Sequence, residues 1–223
     1  MFRIKLILIG VGGILAYFGF QEFQVSKNTG SEPVLVNLEE LEKTKEIPDS
    51  GYLEIENAWE AINYMTYYYE YPEFAGTEEK PEYEVTHAYV PLISSNHPYS
   101  LALDDLEEKY PDGVEIPEEE FPVMQDFQIL LKTNDYKTLG DIPEFWVFHE
   151  KLEGVVINKI NSFESGEEDL IRQSFPNLDF NKILILEKDR KPSSSFKSFG
   201  MMGGGFALII IGIGLLVVGF KKE

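Results

Sequence analysis

The chain has 223 residues, a formal net charge of -20 and no cysteine. That length suits one domain with flanking segments. The missing cysteines exclude disulfides, thiolate metal sites, iron–sulfur clusters and cysteine nucleophiles. Arg3, Lys5, Lys221, Lys222 and Glu223 lie outside two long apolar runs, so 15 basic and 38 acidic residues lie between, a net charge of -23. Such a field repels phosphate backbones and anionic headgroups, which argues against a nucleic-acid partner. The same stretch is rich in Tyr, Phe, Ile, Leu and Val, as acidic disordered segments are not, so a folded domain is expected.

Residues 1–5 read as a short basic tail, and residues 6–22 as a first transmembrane helix. Its core, LILIGVGGILAYFGF, is uncharged but short for a span. A cleaved signal peptide would share the charged start and the apolar run. The following FGFQEFQ lacks a small-x-small cleavage pattern, which favours an uncleaved anchor. Residues 23–32 form a linker and 33–190 an acidic domain, followed by a second linker at 191–198. Residues 199–220, FGMMGGGFALIIIGIGLLVVGF, form a second transmembrane helix before a basic tail at 221–223. Two spans put both tails on one side of the membrane. Basic residues flank the runs on both sides, and the short basic N-terminus places the tails in the cytoplasm and the domain outside it. Small residues recur at four-residue spacing, Gly12 with Ala16 and Gly200 with Gly204, and mark these faces for close helix packing.

Within the domain, PVLV reads as a short strand. Asn37 and Glu40 cap a helix over LEELEK. Alternation predicts strands at 52–56 and 83–94, and a strand from about Tyr64 after a turn. Residues 72–82 read as a hairpin loop. YSLAL (99–103), 126–133, 152–160 and 181–188 read as strands, and 166–175 as a helix. Residues 104–120, with nine acids and one Lys, read as a short helix and a surface loop. The fold class expected is α+β: a mostly antiparallel β domain, a small barrel or sandwich, with short helices and two flanking transmembrane helices.

PVLVNLEELEK, THAYVPLIS and KILILEKDRKPSSS together resemble stretches of bacterial double-pass membrane proteins that carry a domain between two spans. The resemblance is loose along most of the chain, implies a bacterial envelope protein and transfers no activity. The span–domain–span layout is also similar to that of mitochondrial membrane-anchored ubiquitin ligases. Those carry a cysteine-rich zinc module after the second span, and with no cysteine here the resemblance implies no ligase activity.

Sequence signals for chemistry are sparse. His87, His97 and His149 form no metal-ligand spacing. His87 shares a strand face with Val85 and Tyr89, where a buried, hydrogen-bonded imidazole is expected, and His97 precedes Pro98 as a turn residue. There is no nucleophile elbow, P-loop or dinucleotide fingerprint. No catalytic residue and no cofactor are expected. The acids Asp104, Asp105, Glu107, Glu108 and Asp112 are candidate calcium ligands, although their order does not match a D-x-D-x-D-G loop. Tyr64, Tyr67, Tyr68, Tyr69 and Tyr71 form a candidate binding surface, since tyrosines make rigid contacts; a sheet face packed under a helix gives the same pattern.

The function expected is a non-enzymatic binding or scaffold protein of the bacterial envelope, or an accessory subunit of a membrane complex. It would sit in the inner membrane with a protein partner or a second copy of itself, and without nucleic acid. Two alternatives are an envelope enzyme working through carboxylates and His87, and a cation-responsive sensor using residues 104–120.

Overall fold

A computed structural model describes residues 2–70, 79–110, 116–158, 167–176 and 178–220. In chain order the elements are α1 (Phe2–Asn28), β1 (Val34–Asn37), α2 (Leu38–Thr44), β2 (Tyr52–Glu60), β3 (Thr66–Tyr69), β4 (Val85–Ile93), α3 (Pro98–Lys109), β5 (Ile129–Thr133), β6 (Val147–Val156), α4 (Glu167–Ser174), β7 (Leu184–Lys188) and α5 (Ser195–Phe220). The chain divides into two units, Glu32–Arg190 and the two flanking segments Met1–Ser31 and Lys191–Glu223.

The flanking unit is built from α1 and α5, both long and apolar enough to cross a membrane. They run antiparallel because Ile9 meets Gly212 while Gly19 meets Met202. At the seam the backbones nearly touch. A Cβ on Gly12 would stand 2.6 Å from the Gly205 carbonyl oxygen, and one on Gly205 would stand 2.5 Å from the Ala16 amide nitrogen. No side chain fits there, which is the physical use of small residues in such helices. Gly200 and Gly204 lie off this seam, with nothing within 4 Å of a Cβ built on either. Gly205 supplies the close approach instead.

The other unit is a β-barrel. Strands β2, β6, β7, β5 and β4 close into a ring when β2 pairs back onto β4. β1 extends the sheet beyond β2, and β3 extends it beyond β4. Three consecutive barrel strands, β2, β4 and β5, lie side by side, and the fourth, β6, returns to lie beside the first. That is a Greek-key path. The barrel is mixed rather than antiparallel, because β5 pairs with β7 in parallel. Parity gives the reason. Neighbours in a closed ring of five strands cannot all alternate direction, so one pair must be parallel. β1 also joins β2 in parallel, its return made through α2.

Two apolar layers hold the domain. Leu53, Ile55, Leu92, Ile129, Leu131 and Leu186 fill the barrel and are wholly buried, with Leu38 and Leu41 of α2 packed against them. On the barrel's outer face, Tyr89, Leu130 and Ile185 pack under Tyr99 of α3 and Ile171 of α4. This is why β5 and β7 read as continuous apolar runs: they are covered on both sides. Glu42 ties α2 to the end of β4, accepting the Ser94 amide at 2.8 Å and the Ser94 hydroxyl at 2.5 Å.

Local chemistry explains where the elements differ from their sequence pattern. Residues 99–103 are helical, not a strand, because His97 caps α3: its Nδ1 accepts the Tyr99 amide at 3.2 Å, and Pro98 opens the first turn. β6 begins at Val147, ahead of the apolar run, because it pairs with the full length of β2. In β2, Asn57 has φ 54°, a left-handed conformation that Asn tolerates better than most residues. The alternation shifts there. Leu53 and Ile55 face inward, and after Asn57 the buried side is taken by Ala58 and Glu60, leaving Trp59 outward.

Two packing constraints give measurable expectations. A Cβ on Gly154 would stand 2.5 Å from the Glu187 carbonyl oxygen, so Gly154→Val is expected to lower stability by about 1–3 kcal/mol in urea unfolding of the detergent-solubilised chain. Gly205→Leu is expected to abolish cysteine crosslinking between engineered positions on α1 and α5, whereas Gly204→Leu leaves it unchanged.

Candidate functional site

The barrel closes through two residue pairs, Trp59 with Ile93 and Glu60 with Leu92. Beside this short seam lies a cavity of about 450 Å³, within the range of small-ligand and side-chain sites. Trp59 from β2, Trp146 from the segment before β6 and Phe121 supply its aromatic lining. α3 supplies Ser100, Leu103, Asp104 and Glu107, which recur at helical spacing along one face. Asn63 and Ser95 complete the polar part of the lining.

The aromatic surface continues past the cavity. Phe148 packs at a tilt against Trp59 with ring centroids 4.8 Å apart, and Trp146 meets Tyr99 at 5.8 Å. Phe121 and Phe148 are each 48% exposed, and Phe145 is 76% exposed. Exposed aromatics gathered this way around a cavity mark an interaction site more than scattered apolar residues do.

The pocket selects among the candidate acids. Asp104 and Glu107 line it and Asp105 and Glu108 do not, although all four are exposed to solvent. Asp112 lies outside the described residues. Among the described residues, no group of three or more His, Asp or Glu is placed to hold a metal ion.

The tyrosines divide by face. Tyr64 packs inward, meeting Tyr99 at 5.4 Å and accepting the Met124 amide at 2.9 Å through its hydroxyl. Tyr68 stacks on His87 at 4.6 Å and donates to the Glu167 carbonyl at 3.1 Å. Tyr67 and Tyr69 both donate to Glu79, at 3.1 and 3.2 Å. Tyr71 lies outside the described residues. Half of the described cluster therefore packs under the helical layer, and the other half sits on the opposite side of β3.

Two imidazole–carboxylate arrangements lie elsewhere in the barrel. Glu167, at the start of α4, gathers His87 Nε2 at 2.8 Å, Lys132 Nζ at 3.6 Å and the Tyr89 hydroxyl at 3.1 Å. It fastens α4 to the sheet. Burial, then the Glu167 carboxylate, push the Tyr68 hydroxyl up to about 12. Glu60 is only 1% exposed; one carboxylate oxygen accepts from Tyr136 at 2.6 Å, and His149 Nε2 lies 2.6 Å from the other. Burial raises the Tyr136 hydroxyl, and its hydrogen bond to Glu60 adds to this. A second cavity, of about 300 Å³, lies between Ile47, Phe127 and Lys182. His87 lines neither cavity.

Fold and site together define a Greek-key barrel domain carried between two helices of membrane-spanning length, with an aromatic, acid-edged pocket at the barrel seam. No family model, curated protein or solved structure matches the chain.

Sequence patterning singles out the tyrosines and the acidic run; Trp59, Phe121, Trp146 and Phe148 escape it. Trp146 and Phe148 fall where no strand is expected, and Trp59 turns outward only because Asn57 shifts the alternation. One signal was present: FWVF, four consecutive large apolar residues beside Pro143, has no helical or strand period.

The buried hydroxyls predict alkaline behaviour. A tyrosine in the unfolded chain ionises near 10. With the Tyr68 value raised to about 12, its stabilisation is complete below about pH 10 and is lost as pH rises through about 12. Absorbance at 295 nm and circular dichroism, titrated together, are expected to show part of the tyrosine ionisation only as the domain unfolds; Tyr68→Phe reduces that part. Glu60→Ala strands the buried Tyr136 hydroxyl and is expected to cost about 1–3 kcal/mol in urea unfolding.

Proposed function

We propose that this chain is a membrane-anchored, non-catalytic binding protein of the bacterial envelope, with its acidic barrel outside the cytoplasm. It recognises a partner polypeptide and acts as a scaffold or as an accessory subunit of a membrane complex. The observation that carries this reading is the aromatic pocket at the barrel seam, together with the exposed phenylalanines around it. Buried aromatic anchors in pockets dominate protein–protein recognition. The free partner of the site would contribute one anchoring side chain to the cavity and cover Phe145 and Phe148 with its neighbours. Support for the membrane part comes from α1 and α5: each meets the length and composition required, and only a small share of either apolar stretch is buried. Such helices suit lipid better than water.

Catalysis through His87 draws less support. That ring is taken up by Glu167 and Tyr68, away from both cavities. Cation sensing through residues 104–120 is likewise weakened, because the described acids do not converge.

A photo-crosslinking residue at Phe145, in the full chain in native membranes, is expected to give a discrete adduct with another polypeptide. The same probe at Leu170, which is exposed elsewhere, gives none. Trp146→Ala is expected to reduce the Phe145 adduct several-fold. Equal crosslinking from both positions, or no adduct from either, would sink the reading.

A further inference from the structure

The pocket's chemistry is asymmetric. Its walls are aromatic, and the charges along its lining are all negative: Asp104 and Glu107, one helical turn apart on the same face of α3. No Lys or Arg contributes to the lining. The base on the pocket's own helix already has a carboxylate partner, and other lysines of the domain are paired in the same way. Lys109, the only base on α3, pairs with Glu120; Lys45 pairs with Asp126, Lys151 with Glu54, and Lys188 with Asp135. Among the described residues neither Asp104 nor Glu107 is in an ion pair. Both carboxylates are exposed at the rim of the cavity, where a cation brought in from outside meets two negative charges.

Aromatic faces add to the same preference. Trp is the strongest cation–π partner among side chains, and two of them face this space. A free small cation would occupy the cavity and leave Phe145 and Phe148 in water. A basic side chain on a polypeptide with apolar neighbours would fill the cavity and cover both.

We infer that the pocket takes a Lys or Arg side chain of the partner polypeptide, flanked by aliphatic residues, with the cation between the tryptophan walls and the Asp104–Glu107 edge. This rests on the proposed role of the pocket as a partner-recognition site. The flanking aliphatic residues lie on Phe145 and Phe148. The stem of the basic side chain packs along Leu103 and Phe121, as long cationic side chains do on apolar surface.

The protein carries its own reporter. Trp59 and Trp146 are the chain's two tryptophans, and both line this pocket. Three peptides, Ac-Gly-Leu-Xaa-Leu-Gly-amide with Xaa as Lys, Gln or Glu, are titrated into the full chain in detergent while tryptophan emission is followed. The Lys peptide is expected to give a saturable change, the Gln peptide to bind roughly tenfold more weakly, and the Glu peptide to give none. The double variant Asp104→Asn, Glu107→Gln, with an unchanged melting temperature, is expected to bind the Lys and Gln peptides alike. Raising salt to 0.5 M is expected to weaken the Lys peptide selectively. Equal binding of all three peptides to the unsubstituted protein would overturn the charge inference and leave the pocket as a recognition site. No change in emission with any peptide would overturn both.

Discussion

The domain depends on how its barrel closes. Five strands form a ring, yet β2 meets β4 through only two residue pairs, Trp59–Ile93 and Glu60–Leu92. So short a pairing contributes few backbone hydrogen bonds, and the seam is held by what packs on each side of it. Inward, Ala58, Val90 and Leu92 belong to the barrel core, and Glu60 is bound by Tyr136 and His149. Outward, Tyr99 of α3 meets Trp146, and α3 lines one cavity with Trp59. The pocket lies beside this closure, with Trp59 of the seam and one face of α3 among its lining residues.

The residue that makes this possible is Asn57. Its left-handed backbone moves the next side chains to opposite faces, sending Glu60 into the barrel and Trp59 out of it. A strand with unbroken alternation would have turned Trp59 inward and exposed Glu60. The interior would then lack the Tyr136–Glu60–His149 group, and the pocket would lack one of its walls. One backbone conformation thus links a buried polar network, which stabilises one end of the barrel, to the outward aromatic surface proposed for recognition.

The strong negative charge has different consequences in different places. At some places on the surface it is balanced locally, as with Lys43 and Glu39 or Arg172 and Glu168 on single helices, and such exposed pairs add little stability. At Glu167 the acid is buried and holds α4 to β4 and β5. At Asp104 and Glu107 it borders an apolar cavity. The same residue types thus serve solubility, packing and proposed recognition, and the groups around each acid decide among these uses.

Much of the construction is legible in local patterning. Two uncharged runs mark the two helices that are long and apolar enough to cross a membrane. The cap at Asn37, accepted from Glu40 at 3.1 Å, and the alternation of 52–55 are local signals and emerge as written. Tyr64 and Tyr68 belong to the inner side of their cluster, which no local pattern separates from Tyr67 and Tyr69. The parallel pairing of β5 and β7, the helical state of 99–103, the glycine that forms the seam of α1 and α5, and the pocket are set by folding as a whole. Each depends on partners far away in sequence. Ring closure imposes the parallel pair, a cap and the space over the barrel favour α3, and the pocket gathers Trp59, Asp104, Phe121 and Trp146 from four separate segments.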